Sequence, residues 1–218
     1  VSYNFLKRLF DLLLAALLLV VFSPLMLVIA ALISMEHKGP VFYRAVRSGL
    51  FGVPFKIWKF RTMVVGADKG SGTTALNDPR ITKLGKFLRA SKLDELPQLF
   101  NVLVGEMSFV GPRPQLPEYT ARYVGDEKLI LSVRPGITDF SSVEFADLQA
   151  AVGSTDAGKV YDEVVLPRQM ELRLRYVRER SFALDLYLIA KTAWVLCAKM
   201  LGFGNTITSK LGVWKKFG

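Results

Sequence analysis

The sequence predicts an α+β fold that is predominantly helical, and three observations carry that prediction. A run of about 22 almost entirely apolar residues lies at Leu12–Ile33. Two segments rich in aromatic and β-branched residues, PVFYRAVRS and PFKIWKFRT, flank a turn containing Gly49 and Gly52. Beyond residue 80, apolar residues recur at helical spacing with basic residues between them.

The apolar run is long enough to cross a bilayer core of about 30 Å. A cleaved signal peptide fits it poorly, because no small-x-small site precedes a polar start. Ser23-Pro24 interrupts it: proline lacks the N–H and crowds the preceding turn, so a kink is expected there. The serine hydroxyl is placed to cover a freed carbonyl locally. Basic residues flank both ends, Lys7 and Arg8 before and Lys38, Arg44 and Arg47 after, whereas a spanning helix is usually basic on one side only. Two readings stay open from these cues: a kinked transmembrane anchor, and a broken helix that dips in and returns to the same face.

Residues 40–62 read as a β-hairpin. Residues 64–80 read as a polar loop, whose GADKGSG piece lacks the spacing of a phosphate-binding loop. Leu84, Phe87 and Leu88 predict an amphipathic helix with Lys83, Lys86 and Arg89 on other faces. Ser91 to Val104 forms the next element, and residues 105–118 read as a Gly/Pro-rich loop. A helix is expected over 167–180, with Met170, Leu174 and Val177 on its apolar side. Another is expected over 182–201, lying in the interface or on the core because Asp185, Lys191 and Lys199 interrupt it. The boundaries drawn are a membrane element at 1–38, a catalytic domain at 39–201, and a basic-aromatic tail at 202–218.

Composition narrows the chemistry. With 29 Lys and Arg against 19 Asp and Glu, the net charge is +10, which favours polyanionic partners such as anionic lipid, nucleic acid or phosphorylated substrates. A single cysteine and a single histidine rule out an intramolecular disulfide and a multi-His zinc site. Catalysis must rest on carboxylates, Arg, Lys, hydroxyls or a hard metal ion.

The segment ASKLDELPQLFNVLVGEMSFVGPRP concentrates that chemistry. Asp94 and Glu95 are adjacent carboxylates, and Pro97 predicts a helix start close by, where free N–H groups and the helix dipole favour phosphate. There Asp94 is expected to stay ionised as a nucleophile or metal ligand. On spacing alone, an N-cap aspartate on a solvated helix end is the better account. The cations tip the balance: Lys59 and Arg61 at the end of the hairpin, Arg89 before the dyad, and Arg113 between Pro112 and Pro114 on a stiff backbone. A diphosphate would need several such cations and usually Mg2+ held by carboxylate.

These motifs, with KRLFDLLLAALLLVVFSPLMLVIAALI, GPVFYR, FKIWKFRTM, RPGIT and FALDLYLIAKT in the same order, resemble the monotopic phosphoglycosyl transferases, bacterial sugar transferases that act on undecaprenyl phosphate. The resemblance implies a re-entrant membrane helix broken at Ser23-Pro24 and a catalytic domain on the cytoplasmic face of the bacterial inner membrane. It implies that Asp94 attacks the β-phosphate of a UDP-sugar, releasing UMP and leaving a phosphosugar on the enzyme, which polyprenyl phosphate then takes. Glu95 would be the partner carboxylate and Mg2+ the cofactor, held by Asp94 and Glu95. Arg89 would hold a phosphate, and Lys59, Arg61, Pro112, Arg113 and Pro114 would line the nucleotide side.

After RPGIT the chain departs from the LAQVNGR-like stretch of many relatives, so no sugar contacts are assigned over 139–165. The multi-span N-terminal extension of larger members is expected to be absent. Two other readings stay in view: a membrane-anchored anion-binding adaptor without catalysis, and a transferase that moves the sugar alone and releases UDP. No nucleic-acid motif is present. Neither the sugar nor pairing into a homodimer can be read from the sequence.

Overall fold

The computed structural model describes residues 2–67, 78–152 and 156–200. Most of the GADKGSG piece and the whole tail at 202–218 lie outside the described residues. In chain order the elements are α1 (Tyr3–Glu36), β1 (Phe42–Ser48), β2 (Pro54–Phe60), α2 (Lys83–Ser91), a 3-10 turn at Leu93–Glu95, α3 (Gln98–Val104), β3 (Ser108–Val110), α4 (Pro117–Thr120), β4 (Gly136–Thr138), α5 (Phe140–Glu144), α6 (Leu148–Val152), α7 (Ala157–Val160), α8 (Leu166–Glu179) and α9 (Phe182–Met200). The fold is α+β and mostly helical.

Helix α1 is long and apolar enough to cross a membrane, by length and composition. Its helical backbone continues through Pro24. Pro24 cannot donate to the Val20 carbonyl four residues back, and the Ser23 hydroxyl donates to that carbonyl at 2.8 Å. The carbonyl that Pro24 leaves without a donor is thus covered within the same turn.

Both ends of α1 are tied to the rest of the fold. At the start, the Tyr3 hydroxyl and the Lys7 ammonium meet the buried Asp185 carboxylate of α9 at 2.8 and 2.9 Å. Arg8 donates to the Val102 and Leu103 carbonyls at the end of α3, at 2.6 and 2.8 Å. At the other end, Glu36 accepts the Leu84 N–H at 3.0 Å and so caps the first turn of α2. The first half of α1 contributes Ala15 to the main core with Phe55, Leu99, Val102, Met107 and Leu188. The second half packs Met26, Ile29 and Ile33 on Phe60 and Leu88. The opposite face leaves Leu13, Leu17, Val20, Val21, Leu27 and Val28 exposed.

The hairpin pairs β1 and β2 antiparallel, with Tyr43 opposite Lys59 and Arg47 opposite Phe55. Strand alternation puts Lys59 on the same side as the buried Phe55 and Ile57, which turns its ammonium inward. A second, parallel pair joins β3 to β4, with Ser108 opposite Gly136 and Val110 opposite Thr138. The residues 105–118 read as loop therefore contain a strand. Three-residue strands are too short to show alternation, and this pairing joins segments far apart in sequence.

Two helical faces differ from expectation. In α2, Leu88 is buried but Phe87 is exposed. In α8 the buried stripe is Gln169, Leu172, Arg173 and Tyr176, while Met170, Leu174 and Val177 are half-buried at its flank. The polar members can be buried because Arg173 donates to Gln169 one turn away at 2.7 Å. Helix α9 packs on the core through Leu188 and Val195, as expected.

Candidate active site

The dyad sits at the junction of α2 and α3. Helix α2 is capped by Thr82, whose hydroxyl accepts the Gly85 N–H at 2.9 Å. It ends at Lys92, which adopts a left-handed backbone, φ 60° and ψ 12°. The 3-10 turn Leu93–Glu95 follows, and Pro97 precedes the first residue of α3. Asp94 therefore stands in a tight turn ahead of the helix, not at its N-cap; α3 starts at Gln98, after the proline.

The two carboxylates have opposite surroundings. Both oxygens of Glu95 are taken by cations: Lys59 Nζ and Arg113 Nη2 on Oε1, the former at 2.8 Å, and Arg113 Nη1 on Oε2 at 3.2 Å. Burial alone would raise the Glu95 carboxyl, but Arg113, Lys59 and Lys92 outweigh it and hold it well below the usual carboxylate range. Asp94 is 7% exposed, and its Oδ1 has no hydrogen-bond partner. Burial pushes the Asp94 carboxyl up, against the pull of Lys59, Lys92 and Arg89, while the Glu95 charge adds to the rise. The ionised state expected from the sequence is thus opposed by desolvation, and Asp94 is a carboxylate that lacks a partner.

The remaining cations divide into two groups. Arg89 donates Nε to the Thr62 hydroxyl at 2.8 Å, and its charge reaches both Asp94 and Glu95. Arg61 donates Nε to the Pro40 carbonyl at 2.8 Å, at the mouth of the hairpin, and forms no ion pair with the dyad. Lys59, Arg89 and Arg113 are brought together; Arg61 is held beside them by a backbone carbonyl.

Arg113 is positioned by the β3–β4 pair. Gly111 N–H donates to the Thr138 carbonyl at 3.0 Å, and Gly136 N–H donates to the Pro112 carbonyl at 3.1 Å. A Cβ on Gly136 would collide with the Gly111 backbone, so glycine is required at this crossing. Asp139, fully buried, accepts the Arg113 N–H at 3.3 Å together with the Ser142 N–H and the Ser141 hydroxyl. Pro112 and Pro114 thus bracket an arginine whose backbone is anchored on one side and whose guanidinium is anchored by Glu95 on the other.

Sequence reasoning missed three residues here. Asp139 fell in the segment left unassigned. Gln98 is completely buried, with neither amide atom hydrogen-bonded. Lys92 adjoins the dyad in a backbone conformation no local pattern announces.

Among the described residues no three acidic, His or Cys side chains gather into a metal-binding group. The orphaned Asp94 oxygen nevertheless fits a hard divalent ion, which takes one or two carboxylates and completes its shell with water and substrate phosphate. Glu95, committed on both oxygens, offers less.

Comparison with known proteins follows the same lines. The family model described as bacterial sugar transferase matches residues 2–199. A UDP-glucose:undecaprenyl-phosphate glucose-1-phosphate transferase of Klebsiella pneumoniae is 42% identical over 193 residues, covering 86% of this chain and 39% of that protein. An uncharacterised sugar transferase of Bacillus subtilis is 37% identical over 206 residues, covering 94% of both. A UDP-N-acetylgalactosamine-undecaprenyl-phosphate N-acetylgalactosaminephosphotransferase of Aeromonas hydrophila is 33% identical over 214 residues, 93% of this chain and 45% of that protein. The chain spans less than half the length of the Klebsiella and Aeromonas proteins and nearly all of the Bacillus one.

Proposed function

The chain belongs to the bacterial sugar transferase family, and from that premise we propose that it transfers a sugar-1-phosphate from a UDP-sugar to undecaprenyl phosphate, with Asp94 as nucleophile. The observation that carries the proposal is the contrast within the dyad: Glu95 is saturated by Lys59 and Arg113, whereas Asp94 keeps a buried, unpartnered oxygen among cations.

In the first displacement an Asp94 carboxylate oxygen bonds to the β-phosphorus, and the bond from that phosphorus to the bridging oxygen breaks. UMP departs with the bonding electrons, leaving a phosphosugar on Asp94. In the second, a phosphate oxygen of undecaprenyl phosphate bonds to the same phosphorus and Asp94 leaves as carboxylate. The sugar C–O bond is untouched in both steps. Splitting the transfer lets one site serve a soluble donor and then a lipid acceptor. Arg89 binds phosphate oxygens, and Glu95 holds Lys59 and Arg113 in a fixed positive wall that opposes charge on the transferred group. Mg2+, held by Asp94, would supply further neutralisation of the diphosphate.

Burial of Asp94 opposes its own charge, and a carboxylate deprived of water is a stronger nucleophile once the substrate and cations keep it ionised. Both ends of α1 bind one and the same body, at Asp185 and at Leu84, which supports a re-entrant course with both ends on the cytoplasmic face. A straight helix of 34 residues measures about 51 Å against a bilayer core of about 30 Å. The relatives are named for both glucose and N-acetylgalactosamine, so the sugar is left to experiment.

The test is a panel of UDP-sugars with undecaprenyl phosphate, detergent and Mg2+, with the released nucleotide identified. UMP is expected, and Asp94→Asn is expected to abolish it while leaving the melting temperature unchanged or raised, because an unpartnered buried charge is removed. Release of UDP would mean that the sugar moves alone.

A further inference from the structure

We propose that Lys92 is a substrate-binding residue, whose ammonium takes a phosphate oxygen at the dyad and for which the α2–α3 junction is held in a strained backbone conformation. The inference deepens the transferase reading and rests on it.

Lys92 is one of only three non-glycine residues with positive φ among those described, with Phe51 and Asp156, and the only one of them beside the dyad. A left-handed residue closing a helix is usually glycine, because a Cβ there crowds the following carbonyl. Nothing in the local hydrogen bonding needs a lysine: its N–H donates to the Arg89 carbonyl and its carbonyl accepts the Glu95 N–H, which glycine would do equally well.

No hydrogen bond or ion pair engages the Lys92 ammonium among the described residues. The neighbouring cations are each held by a protein group, Lys59 and Arg113 by Glu95, Arg61 at Nε by the Pro40 carbonyl, and Arg89 at Nε by Thr62, the last keeping its terminal nitrogens for phosphate. Half-buried beside two carboxylates, Lys92 is held at no side-chain donor among the described residues. Three N–H donors without acceptors, two residues from an aspartate whose own oxygen is also free, fit a ligand that brings oxygen acceptors and negative charge, which is the chemistry of a phosphate.

That phosphate belongs either to the nucleotide-sugar or to the lipid. Purified full-length Lys92→Gly, Lys92→Met and Lys92→Arg would be compared with the unsubstituted protein in detergent. Each substrate would be varied at saturation of the other. Lys92→Gly is expected to melt at or above the parent temperature yet to lose about 10- to 100-fold in kcat/KM, the range of a lost charge-assisted contact. Lys92→Met loses as much, and Lys92→Arg recovers most of it. A rise in KM for the UDP-sugar assigns the contact to the donor diphosphate; a rise in KM for undecaprenyl phosphate assigns it to the lipid.

Full kcat/KM for both substrates in Lys92→Gly and Lys92→Met would overturn the proposal, as would a fall in melting temperature in Lys92→Gly that tracks the lost activity. Binding of inorganic diphosphate, measured by calorimetry, separates this claim from the transferase reading. If the parent protein turns over no UDP-sugar but binds diphosphate in a Lys92-dependent way, the phosphate contact stands and the transferase reading falls. If it turns over normally and diphosphate binding ignores Lys92, the contact falls alone.

Discussion

Arg113 lays both nitrogens of its guanidinium fork on the carboxylate of Glu95, Nη1 lying 3.2 Å from Oε2 and Nη2 meeting Oε1. Lys59 shares Oε1 at 2.8 Å from β2. One carboxylate therefore ties the hairpin, the dyad turn and the Pro-Arg-Pro segment together. Removing its charge leaves two cations facing each other, with side chains 22% and 33% exposed. Glu95→Gln is expected to cost about 2 kcal/mol, less than a fully buried pair because water reaches both cations. Denaturant unfolding checks this, and turnover should fall with it.

The β3–β4 crossing sets where Arg113 stands. Gly136→Ala would drive a methyl into the Gly111 backbone, and neither strand can retreat without breaking the bonds from Gly111 to Thr138 and from Gly136 to Pro112. The expected loss is about 3 kcal/mol or more. Thermal melting in detergent measures it, and Ser132→Ala, nearby but outside the crossing, should melt within about 0.5 kcal/mol of the parent.

Within α1 the Ser23 hydroxyl replaces the donor that Pro24 lacks. Ser23→Ala leaves the Val20 carbonyl bare and should destabilise by about 1 kcal/mol. The double variant Ser23→Ala, Pro24→Ala restores a backbone N–H to that carbonyl and should recover the loss. Melting of the two variants side by side distinguishes this account from a general intolerance of change at this turn.

The course of α1 is open to direct labelling. With the exposed Cys197 replaced by serine, single cysteines at Asn4 and Lys38 should both react with an impermeant maleimide in inverted vesicles and neither in intact cells. Reaction from opposite faces would make α1 a transmembrane anchor.

What the sequence could reveal followed from how local each signal is. The apolar run of α1, the aromatic hairpin and α9 are continuous patterns, and each formed where its period indicated. At Ser23-Pro24 the hydroxyl that covers the carbonyl was legible, because both donor and acceptor lie within one turn, whereas the helix runs on through Pro24. The β3–β4 pair was not, since its strands have three residues each and their partners are distant. The same distance hid Asp139, which acts on Arg113 from across that pair. In α8 the apolar residues marked the wrong stripe because Arg173 donates to Gln169 one turn away, and both lie buried with Leu172 and Tyr176. Lys92 was invisible for another reason: its backbone conformation is imposed by the join between two helices, and its amino-acid type argues against it.

The central claim is a bond between Asp94 and phosphorus, and intact-adduct mass spectrometry tests it most directly. The protein is incubated with its UDP-sugar and Mg2+ without lipid acceptor, quenched in acid and digested. The account predicts one peptide heavier by a phosphosugar, the modification on Asp94, and its disappearance on adding undecaprenyl phosphate before the quench. UMP release with the adduct on another side chain, or with no adduct at all, would contradict it.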